Sequence, residues 1–368
     1  MKVVTVVGAR PQFIKLGPLS RALAETGATE IIVHTGQHYD EVMSSIFFDE
    51  LDLRRPDYQL GVGSGPHGAQ TGRMLESIEQ VLLDERPDWT LVVGDTNSTL
   101  AGALAAAKLH LPVAHVEAGL RSFNRLMPEE INRLVADHVA DLLFAPTDTA
   151  VRNLRAEGIL EERIRLVGDV MFDASLHYGP KARERSTVLN DLKLISGDYV
   201  LVTVHRAENT DDVARLDVIV SALNDLAGEV TVVWPIHPRT RSALQRNGTG
   251  ELRLGRLRMI DPVGYLDMVM LEMHARLIAT DSGGVQKEAF FHRVPCVTLR
   301  DETEWTELVE LGWNRLAPPD SSERVVRVLR EALAAPPGSN GSPYGDGSSA
   351  ALIVSSLIDG RDTTRTRK

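Results

Sequence analysis

The sequence has 368 residues, of which 43% are hydrophobic and 25% charged, and its formal net charge is −11. These values are typical of globular proteins and exclude collagen-like, coiled-coil and disordered classes, while the length favours two domains. The negative charge argues against broad binding to nucleic acid or to an anionic membrane, because both require a basic face.

Short runs rich in valine, isoleucine and leucine alternate with longer amphipathic segments in the first half of the chain. Such runs predict strands that are buried on both faces, and the segments between them predict helices. This alternation favours right-handed βαβ units with a parallel sheet. The predicted strands are 3–7, 30–35, 89–95, 112–117 and 141–146, and helices are predicted at 98–109 and 129–140.

The alternation weakens across a polar, charge-rich segment at 181–198, which is the predicted domain boundary. Further strands are predicted at 199–205, 230–238, 275–284 and 294–299, and a Gly/Pro/Ser-rich loop at 335–349 precedes a last helix. The expected fold class is α/β, with two doubly wound parallel-sheet domains facing a central cleft. The predicted domains are an N-terminal Rossmann-like domain at 1–180, a C-terminal Rossmann-like domain at 181–350, and a helix and tail at 350–368.

The motif "GARPQFIK" at 8–15 follows the first predicted strand. Ligands of open parallel sheets bind outside the carboxyl ends of the strands, so such positions are where functional residues are expected. Arg10 and Lys15 flank a helix N-terminus, whose free amides attract anions while its dipole opposes cations. An anionic ligand would explain both cations. The alternative is that Lys15 is solvated and that Arg10 bonds a neighbouring loop.

Three carboxylates lie at strand ends or in loops: Asp95 in "VGDTNST", Glu117 in "HVEAGLRS" and Glu129 in "MPEEINR". Paired carboxylates of this kind are typical of general acid–base catalysis. The alternatives are that Asp95 is a helix N-cap and that Glu129 or Glu130 complements the helix dipole. The three together favour a proton-transfer site.

Two motifs follow strands of the second half. "VHRAEN" places His205 beside Arg206, a pair suited to a phosphate or a leaving-group oxygen, and His237 follows the next strand. A structural hydrogen bond is the alternative for His205.

The motif "TDSGGVQKE" resembles the first motif in its position between a strand and a helix. Its glycines would allow backbone amides to approach a diphosphate. The alternative is a tight turn before an ordinary helix. The candidate residues are Ser282, Gly283 and Gly284 for the diphosphate and Glu288 for a ribose.

No cofactor or metal site is expected. The glycines at 61–68 lack the context of a dinucleotide-binding fingerprint, and there is no P-loop. His34 and His38 straddle a strand end instead of sharing a helix face, which argues against zinc. A lone Cys296, no signal peptide and no apolar run of about 18–20 residues predict a cytoplasmic protein.

In this order and at these separations, the motifs "GARPQFIK", "TGQHYD", "GDTNST", "HVEAGLRS", "PEEINR", "HRAEN" and "DSGGVQKE" resemble those of the non-hydrolysing UDP-N-acetylglucosamine 2-epimerases. The resemblance runs from residue 1 to about residue 358. It implies the two-domain GT-B fold and a cytoplasmic homodimer that interconverts UDP-GlcNAc and UDP-ManNAc without a nicotinamide cofactor.

The resemblance implies anti elimination of UDP to 2-acetamidoglucal and re-addition after a proton reaches the other face of C2. The proton on C2 is not acidic, so inversion needs either oxidation of a neighbouring carbon or loss of the C1 substituent. The motifs offer carboxylates and cations, which suit the second route. By resemblance, the acid–base set is Asp95, Glu117 and Glu129, the ribose ligand is Glu288, and Arg133 is a further residue of the cleft. The diphosphate ligands implied by the resemblance are His205, Arg10, Lys15, Ser282, Gly283 and Gly284. His237 is a further candidate for substrate binding because of its position after a strand.

Two motifs depart from the family pattern. Ala9 and Gln12 replace the threonine and glutamate of "GTRPE", so a carboxylate expected to face the cleft is missing. The loop with Gln37 and His38 is a possible allosteric site, but Tyr39 stands where many members have an arginine. Three alternatives to the epimerase stay open: a retaining GT-B glycosyltransferase using a UDP-sugar, a hydrolysing epimerase releasing ManNAc and UDP, and a sugar-nucleotide-binding protein without catalysis.

Overall fold

A computed structural model describes residues 1–37, 48, 50–246 and 255–365, with only the backbone described for Arg10 and 361–365. The chain forms two compact units. The first unit comprises Met1–His177 and Ser342–Lys368, and the second comprises Tyr178–Gly341. Within the described ranges, no helix has both the length and the apolar character needed to cross a membrane.

The first unit is built on a parallel sheet, in which the described residues form seven strands in the order β3-β2-β1-β4-β5-β6-β7. The central strands are apolar and buried along their length, as parallel strands covered on both faces require. The strands are β1 (Lys2–Val7), β2 (Thr29–His34), β3 (Tyr58–Gln59), β4 (Trp89–Val93), β5 (Val113–Val116), β6 (Leu142–Ala145) and β7 (Ile164–Leu166).

Helices connect these strands, and local sequence signals mark where several of them begin. Thr96 caps the third helix by accepting a hydrogen bond from the Thr99 amide, and prolines occupy the start of the first and fourth helices. The helices are α1 (Arg10–Glu25), α2 (His67–Glu85), α3 (Asn97–Lys108), α4 (Pro128–Val139), α5 (Asp148–Ala156) and α6 (Val170–Arg185), with a 3₁₀ turn at Glu161–Arg163.

The change from the first to the second unit falls inside α6, between His177 and Tyr178. The polar segment 181–198, predicted to be the boundary, therefore begins within a continuous helix. Polarity alone did not reveal this, because an exposed helical turn and a linker have similar composition.

The second unit is built on a parallel sheet whose described strands follow the order β10-β9-β8-β11-β12-β13. The strands are β8 (Tyr199–Thr203), β9 (Thr231–Pro235), β10 (Arg258–Ile260), β11 (Leu277–Thr280), β12 (Cys296–Thr298) and β13 (Asn314–Leu316). The helices are α7 (Val188–Asp191), α8 (Ala207–Thr210), α9 (Val213–Leu226), α10 (Pro238–Arg246), α11 (Tyr265–His274), α12 (Gly283–Phe291), α13 (Thr306–Glu310) and α14 (Ser322–Ala334).

The last helix, α15 (Ser349–Arg365), packs in the first unit. Ile353 and Leu357 are fully buried in the core that contains Trp89, whose Nε1 donates to the Leu357 carbonyl oxygen at 3.0 Å. Asp173 accepts hydrogen bonds from two amides at the start of the helix. The prediction that 342–350 belong to the second domain, and that the helix stands apart as a tail, is therefore corrected: the chain returns to complete the first core.

Candidate active site

The candidate residues of the first unit leave the sheet at the carboxyl ends of β1, β4 and β5. β1 and β4 are neighbours although two strands separate them in sequence, which makes this edge a topological switch point of the kind where ligands bind. Val93 pairs with Val116 at the ends of β4 and β5. Asp95 and Glu117 therefore emerge from adjacent strands at the same edge.

Lys15 and Glu117 form an ion pair although they lie 102 positions apart in sequence. Their side chains are only 12% and 5% exposed, so the alternative of a solvated Lys15 is wrong. Glu117 has a φ of 69°, a left-handed conformation that is strained for a residue with a side chain and is often found at functional sites. The pair thus fixes the Glu117 carboxylate, which is carried on a strained backbone position.

Asp95 is held by Arg133, which bridges it to a second carboxylate. Arg133 Nη2 lies 2.6 Å from Asp95 Oδ2, and Arg133 Nη1 lies 2.9 Å from Glu130 Oε2. The Asp95 side chain is 32% exposed and the others are buried. The helix cap is Thr96, so the alternative role of Asp95 as N-cap is wrong.

Glu130, and not its neighbour Glu129, has the structural role in this segment. The Glu130 carboxylate accepts hydrogen bonds from the amides of Ser122 and Phe123 at 2.9 and 3.0 Å, in addition to its contact with Arg133. Glu129 is half-buried in the first turn of α4. Glu129 therefore keeps its predicted catalytic role only as a proposal.

In the motif at 8–15, the buried side chain of Gln12 holds the backbone in place. Gln12 is 1% exposed; its Oε1 accepts from the amides of Gly8 and Ala9, and its Nε2 donates to the Val93 carbonyl oxygen at 2.7 Å. The expectation that this position faces the cleft is wrong. A glutamate could not donate to Val93, so glutamine joins the end of β1 to the end of β4. Arg10 begins α1.

The possible allosteric loop is described only at its first residue. Gln37 is buried, and its Oε1 accepts from the Ser98 amide at 3.0 Å and from the Ser98 hydroxyl at 2.8 Å. The side chain therefore braces α3, and the part of Gln37 in an allosteric site stays a prediction. His38 lies outside the described residues.

The candidate residues of the second unit leave the sheet at β9, β8 and β11, which are adjacent. Asp281, which sequence analysis passed over, organises them: it is fully buried and accepts from the amides of His205 and Arg206 and from Asn209 Nδ2 at 3.0–3.1 Å. Its position directly after a strand and before a glycine pair was the available signal. Asp281 thus fixes the segment that carries His205.

The two candidate histidines lie side by side. The ring centroids of His205 and His237 are 5.5 Å apart, and the His205 side chain is 40% exposed. His237 Nδ1 accepts from the Arg239 amide at 3.2 Å. The structure therefore brings the two predicted histidines together at the ends of neighbouring strands.

Ser282, Gly283 and Gly284 form the start of α12. Ser282 occupies the N-cap position, yet its hydroxyl makes no capping hydrogen bond, which leaves the N-terminal amides suited to an anion. A Cβ added to Gly283 would lie 3.7 Å from an Arg206 guanidinium nitrogen. A cation and a helix N-terminus therefore converge here, as a diphosphate requires.

Glu288, predicted to bind a ribose, lies one turn further along α12 beside a second buried carboxyl group. Tyr265 donates from its hydroxyl to Glu288 Oε1 at 3.2 Å. Glu272 is 1% exposed, and neither of its carboxyl oxygens has a hydrogen-bond partner among the described residues. Burial, and then the charge of Glu288, raise the pKa of Glu272 well above its ordinary value of 4.5.

We expect Glu272 to make the protein less stable as pH rises above 4.5. A carboxyl group whose pKa is raised on folding contributes stability below its unfolded pKa, and this contribution is lost as pH rises, by at most about 1.4 kcal/mol per pH unit. The side chain at position 272 cannot ionise in the Glu272→Gln variant. The melting temperature of this variant minus that of the wild type should therefore increase between pH 4.5 and pH 8. Glu310→Gln, at an exposed position, is the control. The prediction would be contradicted if the melting temperatures of the wild type and of Glu272→Gln changed with pH by the same amount.

Comparisons with known proteins agree with this architecture. The family model described as UDP-N-acetylglucosamine 2-epimerase matches residues 21–358. A UDP-2,3-diacetamido-2,3-dideoxy-D-glucuronate 2-epimerase of Pseudomonas aeruginosa is 51% identical, over 97% of this chain and 99% of the relative. The crystal structure of Methanocaldococcus jannaschii UDP-GlcNAc 2-epimerase in complex with UDP-GlcNAc and UDP is 46% identical, covers 98% of this chain and 100% of its own, and has a TM-score of 0.91.

A third protein, a spinosyn rhamnosyltransferase, shares the fold at 16% identity and a TM-score of 0.52, over 99% of this chain and 96% of its own. This likeness concerns the fold alone, and it agrees with the predicted GT-B class. The two parallel-sheet α/β domains and the family predicted from the motifs are confirmed. The chain belongs to the UDP-N-acetylglucosamine 2-epimerase family.

Proposed function

We propose that this protein inverts C2 of UDP-GlcNAc to give UDP-ManNAc, by elimination of UDP and its re-addition. The observation that carries the proposal is the pair of carboxylates at the ends of β4 and β5, each held by its own cation. Lys15 pairs with Glu117, and Arg133 pairs with Asp95. Each carboxylate is thereby held in place for a proton transfer.

The first unit supplies the proton transfers in this proposal. A carboxylate removes the proton from C2, the C–H electron pair forms the C1–C2 double bond, and the C1–O bond breaks as its electrons leave with UDP. A second acid then delivers a proton to the opposite face of C2 while UDP adds back to C1. The proposed acid–base groups are Asp95, Glu117 and Glu129. The proposal is supported by the position of Asp95 and Glu117, which follow adjacent strands at one edge of the sheet.

The second unit supplies the nucleotide contacts. The N-terminus of α12 and Arg206 suit the diphosphate, and Glu288, beside Tyr265, suits the ribose hydroxyls. His205 protonates or neutralises the departing phosphate oxygen. Arg10, Lys15, Arg133 and His237 are proposed as further groups that bind the substrate.

The names of the relatives support an epimerase over the glycosyltransferase, hydrolase and binding-protein alternatives. A second substrate has a specific observation in its favour, since the relative at 51% identity is named for UDP-2,3-diacetamido-2,3-dideoxy-D-glucuronate. Both sugars carry a 2-acetamido group and a C1-linked UDP, so the reaction at C2 is the same. They differ at C3 and C6, where a specificity assay separates them.

We also propose that the protein is a cytoplasmic homodimer that binds neither nucleic acid nor membrane. A single cysteine and a net charge of −11 support the reducing location and the absence of a polyanionic partner. Light scattering after size exclusion, at a subunit mass of 40.4 kDa, tests the dimer.

The proposed reaction is tested by incubating the purified protein in D₂O with UDP-GlcNAc, without NAD or an acceptor, and recording proton NMR spectra. We expect deuterium at C2 together with UDP-ManNAc. UDP-2,3-diacetamido-2,3-dideoxy-D-glucuronate is assayed in parallel, and the larger kcat/KM identifies the preferred sugar. Free ManNAc would indicate a hydrolysing enzyme. Retention of all C2 hydrogen in both sugars would refute the epimerase.

A further inference from the structure

Behind the carboxylates of the first unit lies a fully buried histidine that the proposed mechanism does not use. His115 belongs to β5, two positions before Glu117. Its Nδ1 lies 2.7 Å from Asp137 Oδ1 and its Nε2 lies 2.7 Å from the Gly94 carbonyl oxygen. Both His115 and Asp137 have no exposed side-chain surface. A histidine with two short bonds in a dry interior is fixed in orientation.

The partners of this ring determine its protons. A carbonyl oxygen only accepts hydrogen bonds, so Nε2 of His115 carries a hydrogen and donates it to Gly94. Asp137 is held ionised by Arg121, whose Nη2 lies 2.7 Å from Asp137 Oδ2, and an ionised carboxylate also only accepts. The two contacts therefore hold the ring in one orientation, with Nε2–H toward the Gly94 carbonyl oxygen and Nδ1 toward Asp137.

The electrostatics of Asp137 agree with this arrangement. Burial raises the pKa of Asp137, but the charges and hydrogen bonds of His115 and Arg121 outweigh it and hold the pKa below its ordinary value. Asp137 Oδ2 also accepts from the Gly119 amide at 3.0 Å. Asp137 thus joins α4 to the segment that follows Glu117.

Gly94, the residue that His115 holds, touches the candidate carboxylates. It precedes Asp95 and has a φ of 69°. A Cβ on Gly94 would lie 3.4 Å from Glu117 Oε2 and 3.4 Å from Lys15 Nζ. The Gly94 amide also donates to the Val116 carbonyl oxygen at 3.0 Å. A shift of the Gly94 carbonyl would therefore move Asp95 and crowd the Lys15–Glu117 pair.

We propose that His115 is a positioning residue for proton transfer at C2: its Nε2–H···O=C bond to Gly94, oriented by Asp137, sets the spacing of the Asp95 and Glu117 carboxylates. The proposal rests on the proposed function, since it assigns a part in that reaction. His115 touches no substrate. It acts by holding the turn between two strand ends, and small displacements of reacting groups cost large factors in rate.

The first test compares two substitutions of Asp137 that leave His115 in place. In Asp137→Asn, the amide can donate to Nδ1 of a neutral His115, so the Nε2–H bond to Gly94 persists. In Asp137→Leu, nothing orients the ring. We expect Asp137→Asn to keep kcat for C2 hydrogen exchange within about 3-fold of wild type, and Asp137→Leu and His115→Gln to lose about 10- to 100-fold. The KM for the UDP-sugar should change by less than about 3-fold in each of the three variants, because the reacting groups lose their positioning while the contacts that bind the substrate remain.

Val113→Ala is the control for a general loss of stability. Val113 is fully buried in the same strand as His115 but at its other end. The Val113→Ala variant should have a lower melting temperature than the wild type and an unchanged kcat. Equal kcat values for Asp137→Asn and Asp137→Leu, or a fall in kcat for Val113→Ala as large as that for Asp137→Leu, would overturn the proposal.

Nitrogen-15 NMR of labelled histidine provides a second readout, which does not depend on activity. We expect the His115 ring to carry a hydrogen on Nε2 in the wild type and in Asp137→Asn. A His115 ring protonated only at Nδ1 would contradict the bond to Gly94. If the wild type exchanged no C2 hydrogen, the proposed function would fail, while the spectrum would still decide the state of His115.

Discussion

Asp95→Asn and Glu117→Gln should each lower kcat for C2 hydrogen exchange by about 10²- to 10⁴-fold, the range expected for a lost acid–base group. Both substitutions keep the shape of the side chain and remove its ability to take a proton. Binding of UDP should stay close to that of the wild type, because most of the proposed nucleotide contacts lie in the second unit and neither Asp95 nor Glu117 is one of them. Deuterium incorporation by NMR measures the first quantity and calorimetric titration with UDP the second.

The control is a carboxylate that is also ion-paired but lies away from these strand ends. Glu85 pairs with Lys2 at 2.8 Å, at the end of α2, and Glu85→Gln should leave kcat unchanged. Glu129→Gln and Glu130→Gln distinguish the roles of the two neighbouring acids of α4. A variant that loses kcat but keeps the stability of the wild type has lost a catalytic group. A variant that loses stability has lost a structural group, as expected for Glu130, which accepts from the amides of Ser122 and Phe123. Near-normal kcat in Asp95→Asn or Glu117→Gln would remove that residue from the mechanism.

The interior of each sheet could be predicted from sequence because its strands are buried on both faces and therefore read as apolar runs. Each predicted strand overlaps an observed one, and the two helices predicted in the first half are displaced by a single residue at either end. The strands that were missed are the edge strands of the two sheets. They have two or three residues and are partly exposed, so no continuous apolar run marks them: β3, β7, β10 and β13.

The candidate site was predictable where function follows from local position, since residues directly after a strand lie at the ligand-binding edge. Partners that are distant in sequence were not predictable. Lys15 meets Glu117 across 102 positions and Arg133 meets Asp95 across 38, and neither ion pair has a local signature. The same limit explains why Asp281 and His115 were passed over: each acts through backbone groups that only the fold brings near.

Gly119→Ala should destabilise the protein more than Gly158→Ala does, because two effects add at Gly119. Gly119 has a φ of 83°, and a left-handed conformation costs a residue with a side chain about 1–2 kcal/mol. A Cβ would also lie 2.4 Å from the Ala150 carbonyl oxygen and 2.9 Å from Leu154 Cγ. Backbone cannot move aside as a flexible side chain can, so overpacking should add about 1–3 kcal/mol.

Gly158→Ala isolates the first of these effects. Gly158 lies in the same unit with a φ of 81°, and a Cβ there would meet nothing within 4 Å. Urea unfolding should therefore show a loss of about 1–2 kcal/mol for Gly158→Ala and a clearly larger loss for Gly119→Ala. Equal losses would mean that α5 moves away from the added methyl group without cost.

The same substitution connects packing to chemistry, because Gly119 stands between Glu117 and the Asp137 network. The Gly119 amide donates to Asp137 Oδ2, and its carbonyl oxygen accepts from Asn153 Nδ2 at 2.9 Å. A displaced Gly119 would pull on both the strained Glu117 and the carboxylate that orients His115. Gly119→Ala should thus lower kcat as well as stability, whereas Gly158→Ala should lower stability alone, and hydrogen exchange at C2 under conditions where both variants are fully folded distinguishes the two.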